Sequence, residues 1–444
     1  MTSNLLIRNV RPMGGANVDI LVENGRITRI EPELSALEAP VEDGGGRIII
    51  PGLVEAHTHL DKSLIGMAWY RNEVGPRLMD KIENEREAKT RLGIDPTRQS
   101  RRQALASVAH GTTHIRSHVD IDTVHGLAGV EGVMRTREEL RDIVDIEIVA
   151  FPQSGMLIRP GTVELMGKAL ELGAEVVGGL DPAGIDRDPK GHLDAVFDLA
   201  QRFGRPVDVH LHEAGELGAF SLELIMERTR ALGMQGRVAV SHAFCLGMPD
   251  ADYVGRLIDE LAELSIHILT TGPASRPSPP VAKLRAAGVV VGAGNDGIRD
   301  TWGPYGNGDM LERAMFVGLR NNFRRDDELE AALDVCTRGG AQVIALERYG
   351  LAPGCWGDVV LVEGETVADA VVSQLHDLNT ECDPIWIRYQ KQIVYQFKIC
   401  LYKKDAPFRE LKGAGEREAK RGDIQCHSAG VHSCRSGRAR WASL

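Results

Sequence analysis

The feature that most constrains this chain is a series of apolar, β-type runs alternating with helical stretches. Seven of them are GTTHIRSHVD (111–120), DIEIVAFPQSG (145–155), AEVVGGLDP (174–182), PVDVHLHE (206–213), RVAVSHAF (237–244), IHILTTGP (266–273) and GVVVGAGNDG (288–297). An eighth, RIIIPGLVEAH, precedes them and ends at His57. The runs are apolar throughout rather than alternating, the pattern of parallel strands covered on both faces. Amphipathic segments such as ELMGKALELG and LDAVFDLAQRFG lie between them. Eight strand–helix units predict an α/β chain closed into a (β/α)8 (TIM) barrel of about 250 residues. A doubly wound open sheet is the competing arrangement, but no GxGxxG turn follows an early strand.

The 444 residues leave room for more than the barrel. Before it, LLIRNV and VDILVENGRITRIEP read as short strands with a hairpin at Asn24–Gly25. After it, APGCWGDVVLVEGE (352–365) offers another strand. Neither piece is long enough for its own core. Together, residues 1–50 and 350–374 predict a small β-sandwich domain built from both ends, with the barrel at 51–349. No further strand is evident after Gln374.

Residues 375–444 differ in kind. They carry 13 Lys/Arg against 8 Asp/Glu, while the preceding 374 carry 39 against 55. Four of the seven cysteines (Cys382, Cys400, Cys426, Cys434) fall there, and no periodicity is visible. Cys426, His427, His432 and Cys434 match no standard zinc-finger spacing. The expectation is an atypical tail, disordered or non-native, of the sort a shifted reading frame would produce.

A formal net charge of -11 disfavours nucleic acid or an anionic membrane as the main partner. No apolar run approaches the roughly 20 residues of a bilayer span. The first residues, MTSNLLIRNV, lack the basic segment and apolar core of a secretory signal. Cys245, Cys336 and Cys355 are widely spaced, as reduced buried thiols are. A cytoplasmic protein is expected.

The chemistry gathers at the strand ends. His57 and His59, in PGLVEAHTHLDKS, stand at i and i+2, so a strand points both imidazoles to one face. His118 ends the second run; His210, His212 and Glu213 end the fifth; His242 ends the sixth and Asp296 the eighth. Ligand-capable residues at so many C-terminal strand ends mark a barrel active site. Buried without a partner they would be unsatisfied, and a metal ion would satisfy several at once.

This set resembles the amidohydrolase superfamily: HTH after the first strand, histidines ending the fifth and sixth, and an aspartate ending the eighth. RSHVD, AFPQSG and HLHE resemble its cytosine-deaminase-like branch, which includes triazine-degrading enzymes of the N-isopropylammelide type. The resemblance covers residues 1 to about 374. It implies one divalent metal, zinc or iron(II), held by His57, His59, His210 and Asp296. The fourth strand ends GGLDP without a lysine, so a mononuclear site is expected.

The resemblance further implies hydroxide attack on a ring carbon bearing an amino group. Asp296 would accept a proton, Glu213 would carry one to the ring and the leaving amine, and His242 would stabilise the tetrahedral intermediate. Gln153, Lys62, Asp181, His212 and Trp302 are the expected substrate contacts. Cytosine deaminases carry an acidic residue after the metal-binding aspartate, whereas this chain has Gly297, which would leave more room. The expected substrate is a small heterocycle: an amino-pyrimidinone such as cytosine first, an N-alkylamino-triazine second. A homo-oligomer is implied by the family. Opening of a cyclic amide is disfavoured by the missing lysine. An inactive homologue serving as a binding or structural subunit is the reading from outside enzymology.

Overall fold

The computed structural model describes residues 4–35, 39–373 and 386–387, so the expectations for the tail lie outside the described residues apart from that last pair. Five strands come first: β1 (Leu5–Pro12), β2 (Val18–Glu23), β3 (Arg26–Glu31), β4 (Val41–Asp43) and β5 (Ile48–Pro51). β2 and β3 form the expected hairpin. Asn24 and Gly25 both have positive φ, 51° and 76°, as a tight two-residue turn matching the strand twist requires.

The barrel strands are β6 (Leu53–Thr58), β7 (Thr112–Asp120), β8 (Asp145–Phe151), β9 (Val176–Leu180), β10 (Val207–His210), β11 (Val238–Ser241), β12 (His267–Thr270) and β13 (Val291–Ala293). Their helices are α1 (Leu78–Arg91), α2 (Pro96–Ala109), α3 (Ala128–Glu139), α4 (Thr162–Leu172), α5 (Pro189–Phe203), α6 (Gly215–Ala231), α7 (Ala251–Glu263), α8 (Val281–Ala286), α9 (Met310–Arg320), α10 (Asp326–Val335) and α11 (Arg338–Val343). Start signals are explicit in several: Asp95, Asp188 and Asp250 cap α2, α5 and α7, accepting first-turn N–H groups. The eight strands pair in parallel in the order β13-β12-β11-β10-β9-β8-β7-β6. Every residue of β6, β7, β9, β10 and β11 is buried, as strands covered on both faces are, even where they carry polar residues such as Arg116, His118 and Asp208.

Closure joins the first strand to the last. The Asp296 N–H donates to the His57 carbonyl at 2.9 Å, and Thr58 Oγ1 donates to the Asp296 carbonyl at 2.8 Å. Gly294 permits this seam, because a Cβ there would lie 2.3 Å from the His57 carbonyl oxygen. The fold is a (β/α)8 barrel, not an open sheet.

β14 (Val359–Val362) returns to the first sheet and pairs antiparallel with β5. α12 (Val367–Ser373) follows, and β15 (Trp386–Ile387) pairs antiparallel with β14. That pair is the strand the sequence did not reveal; two residues carry no periodicity to read. The sheet order is β15-β14-β5-β1-β2-β3, with β4 beside β1. Ile7, Ile20, Val22, Ile49, Val359 and Leu361 share one core, so the segments before and after the barrel build one unit.

Candidate metal centre and active site

Each side chain of the site is delivered by the end of a strand. His57 lies near the end of β6, and His59 follows it at i+2. His210 closes β10, His242 follows β11 and Asp296 follows β13. One donor atom from each of His57, His59, His210 and Asp296 falls within 4.8 Å of all the others. His57 Nε2 and His59 Nε2 stand 3.6 Å and 3.2 Å from Asp296 Oδ1. Asp181, His242 and Asp296 have φ of 36°, 71° and 64°. Such backbone strain in non-glycine residues persists where the surroundings over-determine it, as they do at functional sites.

The donor set fits a cation. Ser241 Oγ donates to Asp208 Oδ1 at 2.7 Å, so it accepts from His57 Nδ1 at 2.9 Å. His59 Nδ1 likewise donates to the His118 carbonyl at 2.9 Å. Both Nε2 atoms are left with lone pairs aimed at a carboxylate oxygen, an arrangement that a positive ion between them relieves. Both ring nitrogens of His210 are buried without a hydrogen-bond partner among the described residues, as are those of His118 and His242. Buried polar groups are rarely left so. Burial first, then the neighbouring imidazoles, holds His210 and His242 well below the ordinary histidine range. Neutral imidazoles are what a metal requires. Burial opposes ionising Asp296, and a cation held between its carboxylate and the two imidazoles would offset that cost.

Around this cluster the expected residues fall into two groups. On one side Asp181 Oδ1 accepts the N–H groups of His212 and Glu213, at 2.6 and 3.2 Å, and Asp181 Oδ2 accepts His212 Nδ1 at 2.7 Å. Burial works against the protonated His212, but Asp181 outweighs it and raises the imidazole above its ordinary value. The His212 ring stacks on His242, with centroids 4.2 Å apart. Glu213 Oε1 accepts from the amides of Ala183 (2.9 Å) and Gly184 (2.6 Å), while Oε2 accepts from the Ser221 hydroxyl. Burial pushes the Glu213 carboxyl up.

On the other side Lys62 is buried. Its ammonium donates to Gln153 Oε1 at 2.6 Å and to Asp120 Oδ1 at 3.1 Å, with Glu85 Oε2 at 3.3 Å. Trp302 Nε1 donates to Glu85, and Lys62 Nζ lies 5.8 Å from the Trp302 ring centre. Lys89, one turn beyond Glu85 on α1, pairs with Asp120 and Asp61. The helix α1 thus brings Glu85 and Lys89 to the loop after β6, with Ile82 packed against Phe151, Leu180 and Ile185.

Sequence reading missed Ser241, Asp208, Asp120, Glu85 and Lys89. Asp208 was legible as the residue two before His210 on the same face, and Asp120 as the residue two after His118. Glu85 and Lys89 were visible only as an ordinary i,i+4 pair. The room expected at Gly297 is not empty: a Cβ there would lie 1.9 Å from Asp300 Oδ2.

Comparison with known proteins agrees with this geometry. The Amidohydrolase family model matches residues 41–387. N-isopropylammelide isopropyl amidohydrolase of Pseudomonas sp. (strain ADP) is 32% identical over 379 residues, 84% of this chain and 94% of that protein. The crystal structure of N-isopropylammelide isopropylaminohydrolase from Burkholderia multivorans superposes with a TM-score of 0.81 at 52% identity, covering 84% of this chain and 95% of that one. 5-Methylcytosine deaminase from Klebsiella pneumoniae, liganded with 5-fluorocytosine, gives 0.77 at 30% identity over 89% and 98%. Among the described residues no helix is long and apolar enough to cross a membrane. With the family match spanning most of the barrel and the histidine–aspartate cluster at its strand ends, the chain belongs to the amidohydrolase family and is a hydrolase of the aminohydrolase type, acting on C–N bonds.

Proposed function

We propose that the protein releases an alkylamine or ammonia from an amino-substituted triazinone, with N-isopropylammelide-type rings ahead of cytosine-type pyrimidinones. The observation that carries this reading is the buried Lys62–Gln153 pair beside the histidine–aspartate cluster. It presents a cation and an amide to a ring whose carbonyl and N–H groups alternate. The 52% identity to the Burkholderia enzyme supports placing the triazinone first, which reverses the order expected from the sequence.

In this reading His57, His59, His210 and Asp296 hold one divalent metal, and zinc or iron(II) suits three imidazoles and a carboxylate. When bound, such an ion supplies Lewis acidity and lowers the pKa of water towards neutrality. The protein's own groups do the rest. Asp296, kept ionised, takes a proton from the attacking water. Glu213, with its raised pKa, delivers its proton to the ring nitrogen. The proton taken by Asp296 goes to the departing amine, and Glu213 regains one from the new hydroxyl as the ring carbonyl forms. His242, neutral and unpartnered, offers a hydrogen bond to the oxygen developing at the ring carbon. Gln153 and Lys62 orient the ring, and Trp302 walls it.

The test is amine and ammonia release by zinc- or iron-loaded protein on cytosine, 5-methylcytosine, isocytosine, ammelide and N-isopropylammelide. Release from N-isopropylammelide, lost by roughly 10²-fold or more in Glu213→Gln with metal still bound, is the expected result. Turnover of a pyrimidinone alone would reverse the order of substrates. Silence on all five with one metal bound would defeat the reading.

A further inference from the structure

The loop after Asp296 carries a carboxylate that none of the roles above uses. Asp300 is buried. Its Oδ1 accepts the N–H groups of Trp302, at 2.7 Å, and Gly303, at 3.0 Å. Its Oδ2 accepts no hydrogen bond among the described residues, and it lies 1.9 Å from where a Cβ on Gly297 would stand. The carboxylate therefore fills the side-chain position of the residue next to Asp296. The backbone of Gly297 is outside the left-handed region, so glycine is not needed there for its φ. What needs glycine is the carboxylate.

The loop is held in place from the segment after His59. Ser63 Oγ donates to the Ile298 carbonyl at 3.0 Å, and the Leu64 N–H donates to the Arg299 carbonyl at 2.7 Å. Burial pushes the Asp300 carboxyl up, while Lys62 and the Trp302 and Gly303 amides pull it back and Asp296 adds to the rise. Asp300 thus stands within electrostatic reach of both Asp296 and Lys62.

We propose that Asp300 is a specificity-determining residue: its free Oδ2, lodged in the space left by Gly297, accepts an N–H of the amine substituent on the ring. This assignment rests on the aminohydrolase reading above and adds which part of the substrate is read. The carbon that loses its amine must approach Asp296, so the departing nitrogen faces the groups beside Asp296. A substituent with an N–H satisfies the carboxylate oxygen. One without leaves it buried and unpaired, and sites built around a substrate N–H discriminate strongly against analogues that lack it.

Matched N-alkylamino and N,N-dialkylamino triazinones, with one N–H and none, test this in the metal-loaded enzyme. Wild type is expected to favour the N–H substrate in kcat/KM. Asp300→Ala lowers kcat/KM for that substrate by roughly 10- to 100-fold and leaves the dialkyl substrate nearly unchanged, so the preference collapses. Gly297→Ala, which displaces the carboxylate while keeping Asp300, produces the same collapse. Calorimetric binding of a ring analogue that bears an N–H but does not react gives the same order without turnover. Metal content and melting temperature are recorded for each variant, and the isosteric Asp300→Asn replaces Asp300→Ala if the latter does not fold. An unchanged preference, or equal losses on both substrates, overturns the assignment while leaving the function standing. Wild-type silence on both substrates and on the earlier panel overturns the function and the assignment together.

Discussion

Ser241→Ala probes how His57 is aimed. The hydroxyl sits between His57 Nδ1, at 2.9 Å, and Asp208 Oδ1, at 2.7 Å, and fixes the tautomer that leaves His57 Nε2 free for the cluster. Asp208 is itself buried and held on its other oxygen by Arg116 Nη1 at 3.1 Å, so it cannot turn away to make up the loss. Removing the hydroxyl therefore breaks two hydrogen bonds at once. Loss of such an outer partner typically costs a metal site 10- to 100-fold in affinity, or about 1.4–2.7 kcal/mol. Separately, a buried polar group left unsatisfied costs the metal-free protein about 1–3 kcal/mol. Chelator competition with zinc reads the first effect, and the melt of the metal-free protein reads the second. Metal affinity within about twofold of wild type would refute the tautomer argument, whatever the melt does. A lower melt with unchanged affinity would leave Ser241 a purely structural residue.

Three other outcomes follow from particular contacts. Asp186 accepts from the amides of Met156, Leu157 and Ile158 and from His192 Nδ1 at 2.6 Å, bracing the loop that begins at Gln153. Burial opposes its ionisation, but His192 and those amides outweigh it and depress its pKa. The folded value lies below the unfolded one near 3.8, so its stabilisation is present above that pH and is lost as pH falls through the folded value. Asp186→Asn should thus destabilise by about 1–3 kcal/mol at pH 7, with the gap from wild type closing in acid; denaturant melts showing a constant gap would contradict this. Gly294→Ala forces a Cβ to 2.3 Å from the His57 carbonyl oxygen and 2.6 Å from Glu55 Oε1, so it should destabilise the β6–β13 seam by about 1–3 kcal/mol and weaken metal binding; an unchanged melt would argue against a tight seam. Burial pushes the Cys245 thiol up to about 12, so peptide mapping after treatment with a thiol reagent at pH 8 should find it labelled only once the protein is unfolded.

The barrel was legible because burial on both faces writes itself into a strand as an unbroken apolar run, and because ligands at strand ends interrupt those runs at regular places. His57 and His59 could be assigned to one face from their spacing alone. Asp296 could be placed with them only through the fold expected. The Asn24–Gly25 hairpin was equally readable, since its turn demands residues that tolerate positive φ. β15 was not, because a two-residue strand is defined by its partner β14 and has no signature of its own. The surroundings of Lys62 escaped for a different reason. Its partners come from β7, β8 and α1, and nothing in HLDKS says that the ammonium is buried among them.

By itself, then, the sequence determined the number of barrel strands, their parallel character and the residue types at their ends, because each depends on local patterning and on burial common to a whole element. Tertiary structure alone decided which nitrogen of His57 faces the cluster, that Glu213 rests on the Ala183–Gly184 amides, and that Asp300 fills the place beside Asp296 that Gly297 leaves open. Those features depend on atoms far apart in the chain meeting within hydrogen-bonding distance. A hydroxyl on β11 meets an imidazole on β6, and a carboxylate one loop turn away occupies a missing side chain's volume. Such meetings are set by how the barrel closes, and no periodicity in the chain encodes them.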